Sequence, residues 1–404
     1  MSVIKNYKSF GGRHWESGTV HNVLDFQGVI APHTGKAFSE EFLLGVSGGI
    51  TVGYFLFHYE GYQPQFVLLT RNTFDPLQTL LERMGIAQNI LQSTSAAKGK
   101  ANLLSVLEEG LPAIVWADSM ALPYNAMASV KDYWAMQPIV VFGHDGERVH
   151  IADRSKKPLT VNADIFEEAQ GRVKKMKHRV ISLEKPIEEK IVSAATSGIW
   201  QCISLFLEAP PRGTKNNFGL QALQNWTKML TNTRNAKSWT RYFPAKEGMF
   251  SALAGNIPFP GMYEWIAAWG DNGAERYRYA NFLDEAAILL NKPELSQAGT
   301  MFQESGDEWK RLGMLALPNE ISLLHQARQL LDKRHNLFTE NGSDAEESLR
   351  AINSQLKELL NESKQNNPIT EDEAMALRST MSNQIVKIHD IEENAIHALQ
   401  TAMT

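Results

Sequence analysis

The chain has 404 residues, 43% of them hydrophobic and 21% charged, and a net charge of −5. That length exceeds one ordinary domain of about 150 residues and points to two or three, while the composition is that of a globular protein. A pI near 6.2 excludes a general nucleic-acid binder, which carries a basic face and a high pI.

The one cysteine, Cys202, excludes an intramolecular disulfide and a cysteine-based metal site within the chain, and it fits a reducing compartment. The first twelve residues, MSVIKNYKSFGG, hold no apolar core of signal-peptide length. No run approaches the roughly 18 apolar residues of a membrane helix. The sequence therefore reads as cytoplasmic, with neither membrane nor nucleic acid as a partner.

In chain order, RHWESGTVHNVL (13–24) reads as a helix start approached through a His and polar residues. The Gly48-Gly49 pair in GVSGGITVG resembles a phosphate cradle. No Lys-Ser/Thr follows it and the dinucleotide spacing is missing, so close backbone packing is the better reading. FVLLT (66–70) and AIVWAD (113–118) have strand length, and FDPLQTLLERMGI and ANLLSVLEEG are helical patches. PIVVFG and RVHIADR flank Asp145-Gly146, a hairpin signal. A tight turn at 144–147 pairs Gly143 with Arg148, Val141 with His150 and Pro138 with Asp153, which makes Gln137 and Asp153 neighbours. The basic segment 171–181, GRVKKMKHRVI, reads as a solvated face or strand edge, or as a dock for an acidic partner.

After Pro186 strand signals fade. LQALQNWTKML, YANFLDEAAILL and nearly everything from Pro318 onward carry helical spacing. The last two charged amphipathic stretches, separated by a Gln-Asn-Asn-Pro break, suit a helical hairpin or a dimerising coiled coil. The expected division is therefore an α/β or α+β domain over 1–186, a helical domain over 187–317 and a helical tail or hairpin over 318–404. The tail packs on the helical domain or forms a homodimer contact. GIWQCISLFLEA places Cys202 on an apolar helix, where a thiol behaves as a small buried hydrophobe. His21, His33, His58, His144 and His150 form no HxH or HExxH arrangement, and His14-Glu16 with Glu40 or Glu41 lacks ligand spacing. No metal and no cofactor is assigned.

HWESGTVHNVL, FSEEFLLGVSGGITVGYFLF, ALPY, VVFGHD with HIADR, NNFGLQALQNW and RYRYANFLDEAAILL, spanning about 14–290, together resemble the N-terminal domain of butirosin biosynthesis protein H and the uncharacterised helical domain that accompanies it. The resemblance implies a papain-like α+β domain with a mixed or antiparallel sheet, followed by an all-α domain with a long helical tail. It implies acyl transfer from an acyl carrier protein onto an amine through a Cys-His pair. Such a thiol would sit at a helix N-terminus, where the helix dipole lowers its pKa, while a His takes its proton and an acid orients that His.

This sequence departs from that pattern. The family's His-Cys pair falls on His14-Trp15, its catalytic His falls at or near Gln137, and its orienting acid falls on Asp153, which is present. Trp has no ionisable group and a Gln amide is no base. Trp15 then fills the former cleft or stacks on a ligand; His14 caps or hydrogen-bonds in the core; Asp153 is a remnant of the site or a strand-end acid. Ser17 lies about 200° around the helix from position 15 and faces away. The sequence-based expectation is a binding or accessory relative of carrier-protein-dependent acyltransferases, with an acyl carrier protein or a small amine as partner. The alternative is an active acyl- or amide-transfer enzyme using other residues.

Overall fold

The computed structural model describes residues 2–127, 133–365 and 369–404. In chain order it runs β1 (Ser2–Val3), α1 (Ser17–Phe26), α2 (Glu40–Val46), β2 (Ile50–Phe57), β3 (Gln65–Arg71), α3 (Pro76–Met84), β4 (Gln88–Leu91) and α4 (Ala96–Glu108). There follow β5 (Ala113–Asp118), β6 (Met136–His144), β7 (Arg148–Ala152), β8 (Leu159–Asn162), α5 (Ala163–Arg172) and β9 (Val180–Leu183). Helices then dominate: α6 (Ile191–Leu207), α7 (Gly219–Thr231), α8 (Trp239–Tyr242), α9 (Glu247–Ala254) and, after the two-residue strands β10 (Gly255–Asn256) and β11 (Phe259–Pro260), α10 (Met262–Ile266). The chain ends with α11 (Arg276–Leu290), α12 (Glu294–Ala316), α13 (Ser322–Asn341), α14 (Glu346–Gln365) and α15 (Glu371–Met403). Most of the Gln-Asn-Asn-Pro break, at 366–368, lies outside the described residues.

The class is α+β with a helical C-terminal part, as the sequence led us to expect. The chain forms two compact units. One comprises Met1–Leu43, Leu77–Ile191 and Arg334–Asn353; the other comprises Leu44–Pro76, Val192–Lys333 and Ser354–Thr404. These units cut the chain differently from 1–186, 187–317 and 318–404. Apolar periodicity shows that a segment has a buried face but not which core that face joins.

The first unit is built on an antiparallel sheet of order β4-β9-β5-β6-β7-β8, with β1 also paired to β6. Helices α1, α4 and α5 pack on it. The β6–β7 hairpin turns one residue later than the sequence suggested. Asp145 N donates to Arg148 O (3.1 Å), and Asp145 Oδ1 accepts from Glu147 N and Arg148 N. Gly146, with φ +106°, takes the first central turn position, where a glycine costs no steric strain. The later turn pairs Gly143 with His150, and an irregularity at Phe142 then sets Val141 against Ile151 and Val140 against Ala152. The expected Pro138–Asp153 pairing is thereby displaced, and Asp153 falls just beyond the ladder.

In the second unit, β2 and β3 form an antiparallel hairpin against which α7 and α10 pack. A fully buried ion pair fixes this arrangement. Arg276 Nε donates to Glu392 Oε1 (2.7 Å) and Nη2 to Glu392 Oε2 (3.1 Å). The remaining guanidinium donors reach the carbonyls of Thr51, Thr70 and Ala274. Ser305 Oγ and Trp309 Nε1 complete the Glu392 shell. Strands β2 and β3 and helices α11, α12 and α15 thus meet on one charge pair.

The Gly48-Gly49 pair serves packing. At Gly49, with φ +67°, a Cβ would meet the Tyr279 ring at 2.6 Å. The sequence reading found no run of membrane length, yet among the described residues one helical stretch, Glu188–Leu207, qualifies by length and composition, with half of it buried. Ile191, Ala195, Ile199, Cys202 and Phe206 are buried at helical spacing, which is the pattern of a core helix. Burial pushes the Cys202 thiol up to about 12. The tail helix α15 packs on α12 and α7 through Met381, Ile385, Ile388, Ile396 and Leu399.

Two stability predictions follow from buried groups. Replacing Arg276 by Met strands the Glu392 carboxylate and costs roughly 3–5 kcal/mol, readable as a lower urea midpoint. His144, at the end of β6, is buried and accepts Gly146 N at Nδ1 (3.1 Å). Burial, and then Lys100, hold its pKa below the ordinary 6.5. The unfolded chain therefore takes up this proton first, so the His144 contribution is present above pH 6.5 and falls away as the pH drops from there through the folded-state value. Urea midpoints at pH 7.5, 6 and 5 should fall more steeply for the native protein than for His144→Gln.

Candidate functional site

The candidate site belongs to the first unit and begins at the approach to α1. Trp15 lies two residues before the helix, whose N-cap position is Glu16. A carboxylate holds the turn together. Glu40, at the start of α2 and 4% exposed, accepts Arg13 N (2.7 Å), His14 N (2.8 Å) and Ser17 Oγ (3.1 Å). Three donors satisfy a charge that would otherwise be costly to bury. The turn also crosses the first helical residues closely, because a Cβ on Gly12 would lie 2.3 Å from the Gly18 carbonyl oxygen. Asn22 Oδ1 accepts Gly12 N (2.8 Å) from within the helix.

This turn is fixed beside the start of β6. The Thr19 hydroxyl lies against the Trp15 carbonyl and 3.4 Å from the Pro138 carbonyl. Gln137, the neighbour of Pro138, pairs with Ala117 of β5. The structure thus joins α1 to the strand position next to Gln137.

Asp153 follows β7 and is 5% exposed. Both oxygens of its carboxylate accept hydrogen bonds. Tyr124 OH donates to Oδ2 (3.0 Å), Arg154 Nε to Oδ1 (2.9 Å) and Arg154 Nη2 to Oδ2 (3.2 Å). Burial, and then the adjacent Asp153, raise the Tyr124 phenol well above its ordinary range, so it remains a donor. Arg154 Nη2 also donates to Asn125 Oδ1 (2.7 Å). The guanidinium carbon lies 4.3 Å from the Trp15 ring centroid and 4.9 Å from that of Phe338. The cation is therefore bounded by two aromatic rings, an arrangement its planar group favours over a lysine. Arg154 reaches it from a left-handed backbone, φ +52°, a conformation that costs a non-glycine residue on the order of 1 kcal/mol.

A segment distant in sequence closes the arrangement. Besides Phe338, the end of α13 offers the Thr339 carbonyl to Lys156 N (2.8 Å) and Ser155 Oγ (3.2 Å). Farther along, Asn353 Nδ2 donates to Ala126 O (2.7 Å). Ala126, Ala345, Leu349, Leu337 and Phe338 form a small apolar cluster beneath.

Of the positions singled out by sequence, Trp15 and Asp153 are thus linked through Arg154, Gln137 lies beside the Thr19 anchor, and His14 contributes its backbone N–H to Glu40. Sequence reasoning considered Glu40 only as a metal ligand, not as the acceptor that fixes this turn, and missed Tyr124, Arg154 and Phe338. ALPY held Tyr124 and HIADR held Arg154, but neither motif says that the arginine would fold back onto its own neighbour. Among the described residues no group of three or more His, Cys, Asp or Glu is placed to hold a metal ion.

A helix N-terminus thus stands beside one strand of an antiparallel hairpin, with a buried acid just past the other strand. Residues 14–154 match the family model described as butirosin biosynthesis protein H, N-terminal. This part of the chain is similar to that family's domain. No curated protein matches the chain.

Removing the guanidinium would leave Asp153 with Tyr124 alone. Arg154→Ala should cost about 2–3 kcal/mol, discounted from the fully buried case because the side chain keeps some exposure. Arg154→Lys should recover little, since an ammonium cannot make the forked pair to Asp153 and Asn125. Urea unfolding of the three proteins checks both expectations.

Proposed function

We propose that this chain is a non-catalytic relative of the carrier-protein-dependent acyltransferases, acting as a binding or accessory protein in the cytoplasm. One observation carries the reading. The acid that would orient a catalytic imidazole already accepts from Tyr124 and twice from Arg154, and the same arginine lies over Trp15 where a nucleophile would stand. Neither an indole nor a carboxamide can replace a thiolate and an imidazole, and losing both partners lowers a rate by orders of magnitude. Cys202 offers no substitute because its buried thiol resists ionisation.

An acyl carrier protein or a small amine is the partner that the family's chemistry favours, bound without transfer. A homodimer through the helical tail is compatible with this role. Incubation with acyl-carrier or thioester probes should give no mass shift, and iodoacetamide should react little with the native protein. A stoichiometric adduct on a residue near position 15 would overturn the reading in favour of an active transferase. Installing Trp15→Cys with Gln137→His tests how far the cleft has been remodelled. With Arg154 in place the guanidinium favours the thiolate but occupies Asp153, so the alkylation rate should not depend on Gln137→His; adding Arg154→Gly should make it depend on that substitution by freeing Asp153 toward the imidazole.

A further inference from the structure

We propose that the outer edge of β4, framed by the basic knuckle before β9, docks an extended acidic peptide segment of a partner protein as an added strand. The sheet order ends at β4, which pairs only with β9 among the described residues. Glu184 N donates to Ala87 O (2.9 Å), and Asn89 faces Ser182 while Leu91 faces Val180. In an antiparallel ladder, alternate residues exchange both bonds with the partner strand. Ala87, Asn89 and Leu91 therefore bond toward β9, and the backbone groups of Gln88 and Ile90 point away from the sheet. Ile90 is 45% exposed, an uncommon exposure for a large apolar residue on an uncovered edge.

Charge selects the occupant. Lys174, Lys175 and Lys177 are exposed and make no ion pair among the described residues, in a chain whose net charge is −5. Arg179 lies over the Trp116 ring at 5.8 Å and donates to Gln92 (3.4 Å). The knuckle is held at the C-terminal end of β4, where Lys177 O accepts Ser93 N (2.8 Å). Lys177 and His178 take consecutive left-handed conformations, φ +50° and +44°, which turn the chain sharply between the three lysines and β9. At the other end of β4 lies Glu184. An incoming strand thus meets positive charge at one end and negative charge at the other, and acidic side chains belong beside the knuckle. Strand addition draws its affinity from main-chain hydrogen bonds and its selectivity from flanking groups.

Lysines beside a strand edge also serve to repel other strands, so the experiment separates the two uses. The probe is a fluorescein-labelled hexapeptide, Glu-Val-Glu-Thr-Glu-Val, titrated with the full chain by anisotropy, against the same peptide with lysine in place of glutamate. The acidic peptide should bind and the basic one should not. Reversing the three lysines together, Lys174→Glu, Lys175→Glu and Lys177→Glu, should weaken binding on the order of tenfold, as expected for the loss of several exposed charge pairs. Ile90→Pro should weaken it comparably, because it removes an outward N–H while leaving the bonds to β9 intact. Circular dichroism of each variant shows whether the fold is kept. Absence of acidic-peptide binding, or self-association of the charge-reversed chain without it, overturns the proposal in favour of edge protection. Unchanged affinity in a folded Ile90→Pro variant overturns it in favour of charge attraction alone.

Discussion

The Arg154 guanidinium is the constraint on which the candidate site depends. It neutralises a buried carboxylate, covers one aromatic ring and is covered by another. Each contact limits what else can occupy the space. An imidazole orienting on Asp153 would have to displace two charge-assisted hydrogen bonds, and a thiol at position 15 would face a fixed cation rather than a base. The left-handed backbone at Arg154 is a local strain, and it is maintained because leaving the side chain would abandon the buried acid without compensation.

The surroundings are equally specific. Glu40 fixes the turn before α1 by taking two backbone N–H groups and one hydroxyl, and the Gly12–Gly18 crossing allows the turn to lie against the helix. This framework is suited to presenting a side chain at a helix N-terminus. The side chain presented there is the Trp15 indole, which has no ionisable group. In the second unit, the Arg276–Glu392 pair plays a comparable part by joining two strands to three helices. In both units a buried charge is tolerated because its partners come from several elements at once.

Much of the fold was legible in local pattern. Pro76 at a helix start, Gly110 after a helix end and the short apolar run FVLLT each report a backbone preference that the surrounding core does not override. The β6–β7 hairpin was legible as a hairpin, but its register was not. Asp-Gly permits a turn centred on either of two adjacent pairs of residues, and the choice was made by the Asp145 side chain and by the irregularity at Phe142. The sequence shows that positions 15 and 137 carry neither a thiol nor an imidazole. That Arg154 lies between the Trp15 and Phe338 rings was not legible, because Phe338 stands 184 residues farther along the chain.

The sequence by itself determined the element types, the lack of an intramolecular disulfide and the absence of a thiol and an imidazole at positions 15 and 137, since each follows from residue identity or short-range spacing. Tertiary structure alone decided which core received each segment. It placed residues 44–76 in the helical unit and residues 334–353 over the candidate site, and it joined Asp153, Arg154, Tyr124 and Trp15 into one network. The physical reason is that hydrophobic faces and buried charges are satisfied by whatever partners folding brings within a few ångströms, and sequence distance carries no information about that meeting.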